Sequence, residues 1–309
     1  MKNLINSSLI ISVFGLSFVS CDKIEEPIKP EILIDTTLFS TGNWVDYVSP
    51  TFGENTNTNR NLILEDYTGH DCPNCPTAAI VAKDIEDANS ERVFVVSIHA
   101  GKGGNDGFQK TKSDCGTASN PHDKLCHDFR TNEGTDYGIK FADYGFVGNP
   151  YGNISRYTFS DFMFQYHTAW AEKVDELLLA NDLKINIQAK SNYYDESKGG
   201  FLHVESQSLK DLSGNYNIVT YVVQNHIEEW QNVSSTYVED YDHHNVFLGC
   251  VDNEAWGQTI FSNASSGDKV ETVYSYKLPT GISKEEIHFI SYVYDVDTYE
   301  IIQVIKFTF

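Results

Sequence analysis

The chain has 309 residues, with 44 acidic against 22 basic side chains and a formal charge of −22 at neutral pH. Such a surface repels polyanions, since Coulombic attraction to phosphate drives nonspecific contacts with nucleic acid and anionic headgroups. No basic patch offsets it, so nucleic acid is excluded as a partner. With 18 Phe, 18 Tyr and 4 Trp the chain has the material for a large core, and its length suffices for two domains of ordinary size.

Residues 1–20 read as a secretory leader. Lys2 supplies a positive start, and Leu9 to Val19 is a largely apolar run too short to span a membrane, which takes roughly 20 residues. The run ends Phe18-Val19-Ser20-Cys21, which resembles a bacterial lipobox, where the cysteine is diacylated and becomes the new N-terminus. Ordinary signal cleavage beside Cys21 is the alternative. Acylated Cys21 would tie the chain to a lipid bilayer, since several acyl chains anchor stably where one does not. Cleavage removes Lys2 and no acid, making the mature chain one unit more negative. Residues 21–58 form a tether and lead-in. Their acidic cluster Asp22-Lys23-Ile24-Glu25-Glu26 resembles the export signal of some lipoproteins displayed on the outer membrane; a solvated tether explains it equally.

Residues 59–181 alternate strand and helix patterns. Asn61-Leu62-Ile63-Leu64 is a short apolar strand, and Thr77 to Asn89 reads as a helix because Ala78, Val81, Ile85 and Ala88 recur at helical spacing. Arg92 to His99 is nearly continuous apolar sequence, typical of a strand covered on both faces. Strand, helix, strand implies a parallel pair with a crossover helix. Gly101 to Glu133 is an insertion, residues 101–133. Ser160 can cap a helix whose stripe is Met163, Tyr166, Trp170, Val174 and Leu177, and Asn181 suits its C-terminal end. From 182 to 309 the period becomes two: runs near 183–187, 216–223, 270–278, 287–293 and 301–309 are separated by Ser/Gly/Asn/Asp turns. These predict an antiparallel sandwich of roughly seven strands, Ig-like in kind.

The chemistry-bearing feature is Cys72-Pro73-Asn74-Cys75 between the first strand and the first helix. Two sulfurs at this spacing can open and close a disulfide without moving the fold, and the positive end of a helix favours the thiolate. Cys72, at the outer end, is expected to attack, and Cys75, one turn inside, to resolve the mixed disulfide. An inert disulfide, or half of a zinc site with His70, are the rival readings. Asp66 lies six residues before Cys72, and Glu65 is its rival as the acid beneath the pair. None of this chemistry needs a cofactor.

Cys115 and Cys126, in the insertion, are expected to pair in an oxidising envelope and to stabilise their loop by about 3 kcal/mol. Pro121, capped by Asn120, would start a helix carrying Cys126 about one turn in. A metal held by Cys126 with His122 and His127 is the alternative. Cys250, in an apolar stretch, is expected to be a buried thiol. His243-His244, flanked by Asp240 and Asp242, reads as an exposed polar turn or, alternatively, as metal ligands at a sandwich edge.

Two resemblances follow from these residues. Asp66 before Cys72-Pro73-Asn74-Cys75, with Gly148-Asn149-Pro150 downstream, resembles the thioredoxin superfamily. That resemblance implies a thioredoxin-like α/β domain, Asp66 as proton relay to Cys75, and Pro150 as a cis-proline facing the disulfide; Asn149 departs from the usual Thr, Ile or Val. The segment Glu65-Asp66-Tyr67-Thr68-Gly69-His70-Asp71-Cys72-Pro73-Asn74-Cys75-Pro76 also resembles the twenty-eight-kilodalton outer-membrane lipoprotein family of Gram-negative bacteria. His243-His244-Asn245-Val246-Phe247-Leu248 with Trp256-Gly257 is similar to a second block of that family. Members have been described as surface adhesins or receptors, which implies outer-membrane placement, facing either the periplasm or the cell surface, with the surface favoured. The expectation is therefore a thioredoxin-like α/β domain followed by an all-β antiparallel sandwich. It is either a thiol–disulfide oxidoreductase acting on envelope or extracellular proteins, or a binding protein stapled by Cys72–Cys75. No protein partner or host ligand is named by the sequence.

Overall fold

A computed structural model describes residues 34–39, 47–112 and 120–309. The expected leader, Cys21 with its expected acylation, the expected tether as far as residue 33, and Cys115 lie outside the described residues.

Strand β1 (Leu62–Thr68) is buried along its whole length and pairs in parallel with β2 (Val93–His99) through helix α1 (Cys75–Ala88). The helix starts two residues earlier than its apolar spacing predicts, because Pro76 is tolerated in a first turn, where no N–H is needed. After α2 (Asn132–Lys140), capped by the Thr131 hydroxyl accepting from Gly134 N, the chain enters β3 (Tyr151–Ile154), antiparallel to β1, and then the short β4 (Phe164–Gln165). Helix α3 (Trp170–Ala180) follows, ended by Asn181 in the left-handed region.

The helix expected from Ser160 thus begins nine residues late, capped at Ala169. Ser160 itself has a positive φ and cannot cap it, and Met163 (buried) and Tyr166 (exposed) flank β4 rather than lying on a helical stripe. Only Trp170, Val174 and Leu177 keep the helical role. The order here is β2-β1-β3-β4. Leu62 and Leu64 pack with α1 and α3, whereas Ile63 and Tyr67, which alternate with them, share a core with Tyr137 and Phe141 of α2 and its C-terminal turn. Gly152 of β3 is required by close approach: a Cβ there would meet the Trp170 ring at 2.6 Å and Glu65 O at 2.7 Å.

The second half has eight strands: β5 (Ile185–Tyr194), β6 (Gly199–Ser208), β7 (Asn215–Val233), β8 (Thr236–Cys250), β9 (Gln258–Ser262), β10 (Lys269–Lys277), β11 (Ile287–Asp295) and β12 (Ile301–Phe307). Three of them form the sheet β10-β6-β5, whose Leu202, Val204 and Tyr274 pack with Val222, Phe289 and Val293 of β7 and β11. That part is an antiparallel sandwich.

The other strands do not form a separate module. Parallel pairing of Ser97 with Val246 joins β8 to β2, giving one nine-stranded mixed sheet ordered β12-β11-β7-β8-β2-β1-β3-β4, with β9 on β7. The protein is mostly β, and the expected boundary after residue 181 does not divide its core. The physical reason lies in β2: its Val-rich outer edge would be left unpaired, and β8 covers it. A buried ion pair reinforces the joint. Arg156 Nε and Nη2 donate to Glu65 at 3.0 and 2.8 Å, and Nη2 also donates to the hydroxyls of Tyr221 and Tyr292 from β7 and β11. Among the described residues no helix is long and apolar enough to cross a membrane.

Candidate functional site: a covered disulfide beside a buried acid

Cys72 and Cys75 are joined by a disulfide at the mouth of α1. Cys75 N bonds Cys72 O at 3.3 Å, closing the turn between the sulfurs. Because the pair is oxidised, its sulfurs offer no zinc half-site, and His70 instead points Nε2 at Lys110 O, 3.2 Å away.

The alternation of β1 sends the two carboxylates to opposite faces of the sheet. Glu65 shares the face of Ile63 and Tyr67 and is taken up by Arg156, Asn153 and Tyr221. Asp66 shares the α1 face with Leu62 and Leu64; it is buried, and its Oδ1 has no partner. Burial pushes the Asp66 carboxyl up to about 7. Pro150 follows a cis peptide bond from Asn149 and leads into β3, where Gly152 lies opposite Asp66. The Asn149 amide donates to Thr68 O at 3.0 Å and Ala100 O at 2.9 Å, tying this turn to the ends of β1 and β2.

The expected exposure of Cys72 is not found. Each cysteine is 1% exposed. The cover is the tip joining β7 to β8, from the other half of the chain. Asn232 N donates to His70 O at 2.8 Å and Ser234 N to Pro73 O at 2.9 Å; Gln231 Nε2 donates to Cys72 O at 3.2 Å, and Tyr237 OH to Asp71 Oδ1 at 3.0 Å. These bonds satisfy carbonyls that a partner's backbone would otherwise reach. Sequence reading missed this cover, because a strand pair's reach depends on long-range register and leaves no local motif.

Histidines gather beside it. Phe129 stacks on His99 with ring centroids 4.3 Å apart and lies 4.6 Å from His243 and 4.3 Å from His127. Neither ring nitrogen of buried His99 has a partner, and burial holds it well below the ordinary imidazole range. His243 is pushed down to about 3 by the same cause. The His243-His244 pair is therefore no exposed turn: it lies within β8, with His243 buried and His244 partly exposed.

The metal alternative at Cys126 also fails. Cys126 is disulfide-bonded, although Cys115 lies outside the described residues. His122 Nε2 lies 3.5 Å from Asp71, and His127 Nδ1 3.5 Å from Glu229. The turn begun at Pro121 is a four-residue 3₁₀ helix ending at Lys124, so Cys126 falls beyond it. Cys250 is buried, its Sγ 3.7 Å from Tyr137 OH, and burial pushes its thiol up.

A cleft of about 280 Å³ opens between α1 and β8. Cys75, Pro76, Thr68, His99 and Tyr241 line it.

Comparison with known proteins gives a family and a fold. The family model described as outer membrane protein Omp28 matches residues 140–309. No curated protein matches the chain. Among solved structures, HBP35 of Porphyromonas gingivalis is similar at 17% identity and a TM-score of 0.60, covering 82% of this chain and 76% of that one. A domain of the outer membrane lipoprotein Omp28 from the same organism is 23% identical, covering 40% of this chain and 87% of that one, with a TM-score of 0.28. At these identities the first shows a shared fold, and the second adds no argument about structure.

Proposed function

For this chain, which belongs to the Omp28 outer membrane protein family, we propose a lipoprotein anchored through Cys21 whose Cys72–Cys75 pair exchanges with cysteines of envelope or extracellular proteins. The order β2-β1-β3-β4, with helices on both faces and the disulfide at the mouth of α1, supports a thioredoxin-like reading of the first half.

The observation that carries the proposal is Asp66: a buried acid on the α1 face, titrating near 7. A substrate thiolate attacks Cys72 Sγ, the disulfide breaks, and Cys75 leaves as a thiolate. Protonated Asp66 supplies its proton. A second substrate thiolate then attacks its partner sulfur in the mixed disulfide, leaving the substrate oxidised by two electrons and the pair reduced. In the reverse direction Asp66 accepts the proton. Pro150, leading into β3, is the proposed docking edge for the substrate backbone.

Turnover of a peptide dithiol by purified protein tests this. Activity is expected in the parent, absent in Cys72→Ser/Cys75→Ser, and reduced about 100-fold or more in Asp66→Asn, in the range typical of a lost acid–base group. Equal activity in the serine variant would end the exchange reading.

The second reading is a surface binding protein in which the disulfide is a staple. Burial of both sulfurs beneath the β7–β8 tip favours it. Attachment to host or partner surfaces that survives in Cys72→Ser/Cys75→Ser would separate that role from catalysis.

A further inference from the structure

We infer that His226, Asp242 and His244 form a binding site for a divalent transition metal ion of the zinc class, at the rim of the cleft beside α1. The three residues come from two paired strands. His226 of β7 lies directly opposite His244 of β8, and Asp242 is two residues earlier on β8, so all three share one face of the ribbon. His226 Nδ1 is 3.0 Å from Asp242 Oδ2, and His244 Nε2 is 3.4 Å from the same oxygen. All three ligand atoms lie within 4.8 Å of one another.

Bonds of about 2.0–2.2 Å from nitrogen and carboxylate oxygen to zinc place neighbouring ligand atoms roughly 3–3.5 Å apart. Two of the three separations already fall in that range. The third closes by rotation of the half-exposed imidazoles, without backbone movement, because regular strand pairing fixes the Cα positions.

Donor chemistry selects the ion. Two imidazoles with one carboxylate suit zinc, cobalt, nickel or copper and disfavour calcium and magnesium, which take oxygen. Three protein ligands leave a coordination position for water or a ligand group. His226, Asp242 and His244 line the same cleft as Cys75 and Pro76, so that position opens where a bound molecule would lie. The acidic surface raises the local cation concentration. Without an ion the same carboxylate simply accepts a hydrogen bond from His226 and lies 3.4 Å from the His244 ring, and the experiment separates the two cases.

The full chain, with Cys72–Cys75 oxidised so that no thiolate competes, is titrated with zinc chloride by calorimetry and with cobalt chloride by visible absorption. One equivalent should bind at a Kd on the order of 10 μM or tighter, with cobalt ligand-field bands of nitrogen and oxygen ligation. His226→Ala/His244→Ala should abolish saturable binding, and Asp242→Asn, which keeps the side-chain shape, should weaken it about 10-fold or more. The asparagine variant carries the test alone if the double variant does not fold. No saturable binding up to about 100 μM, well above the Kd expected here, overturns the site. So does unchanged affinity in Asp242→Asn or in a folded double variant, which would move the ion to other histidines.

Discussion

Two neighbouring carboxylates on one strand meet opposite fates. Glu65 is ion-paired to Arg156, whereas Asp66 is buried without a charge partner and titrates near 7. The folded chain therefore holds the Asp66 proton up to about 7, while the unfolded chain releases it near 3.8. The folded state binds more protons between those values, so stability falls as pH rises through that window and stays lowered above it. Asp66→Asn escapes this cost. We expect it to be more stable than the parent at pH 8, on the order of 4 kcal/mol, and equal to it near pH 3, by urea unfolding. Equal stability at pH 8 would show that Asp66 is solvated. His243 works in the opposite sense: its folded value near 3 lies below the unfolded 6.5, so stability is lost as pH falls below about 6.5. His243→Gln should flatten that acid limb by about 1.4 kcal/mol per pH unit, read from the same unfolding series. The choice of Asp66 over Glu65 was half legible. Offset from Cys72 nominates Asp66 with Glu65 as its neighbouring rival, and only strand alternation, with knowledge of which face carries α1, sets the two apart.

At the scale of elements, the β7–β8 ribbon is the unexpected part. Its strands, 19 and 15 residues long, outrun the sandwich core, cover the β2 edge and set their tip on the disulfide turn. If that tip controls access, weakening it should speed reduction. Gln231→Ala/Tyr237→Phe removes the bonds to Cys72 O and Asp71, each worth about 0.5–3 kcal/mol, so reduction by dithiothreitol should accelerate about 10-fold or more. An unchanged rate, followed by alkylation and mass measurement, would mean that the sulfurs are reached by another route. The β1-α1-β2 unit could be read from periodicity because its contacts are local. The late start of α3 could not, since Met163 and Tyr166 keep helical spacing with Trp170 while flanking the short strand β4. His226 carried no signal at all. It lies 18 residues from His244, and only the register brings them opposite one another.

The whole molecule depends on a sheet and a core built from both ends of the chain. The change of period near residue 181 is real in the sequence, but Tyr137 and Phe141 share one buried cluster with Tyr221, Phe247 and Tyr292. Composition and periodicity give the elements, whereas sheet order across such distances is a tertiary property. Two outcomes follow. A fragment of residues 59–181 should not fold alone, because it bares the β2 edge and that aromatic face; a cooperative thermal transition of the fragment would contradict this. Glu65→Gln leaves Arg156 buried without a counter-charge and should cost the whole protein about 3–5 kcal/mol, in one transition shared by both halves. The central claim, that Cys72–Cys75 is an exchanging pair and not a staple, is tested most directly by its equilibrium potential. The full chain is equilibrated across dithiothreitol poises, quenched by alkylation and read by mass at these two cysteines. The account predicts a two-electron transition between about −120 and −270 mV, the range of exchange proteins. A pair that stays closed until below about −300 mV, as secreted structural disulfides do, would contradict it.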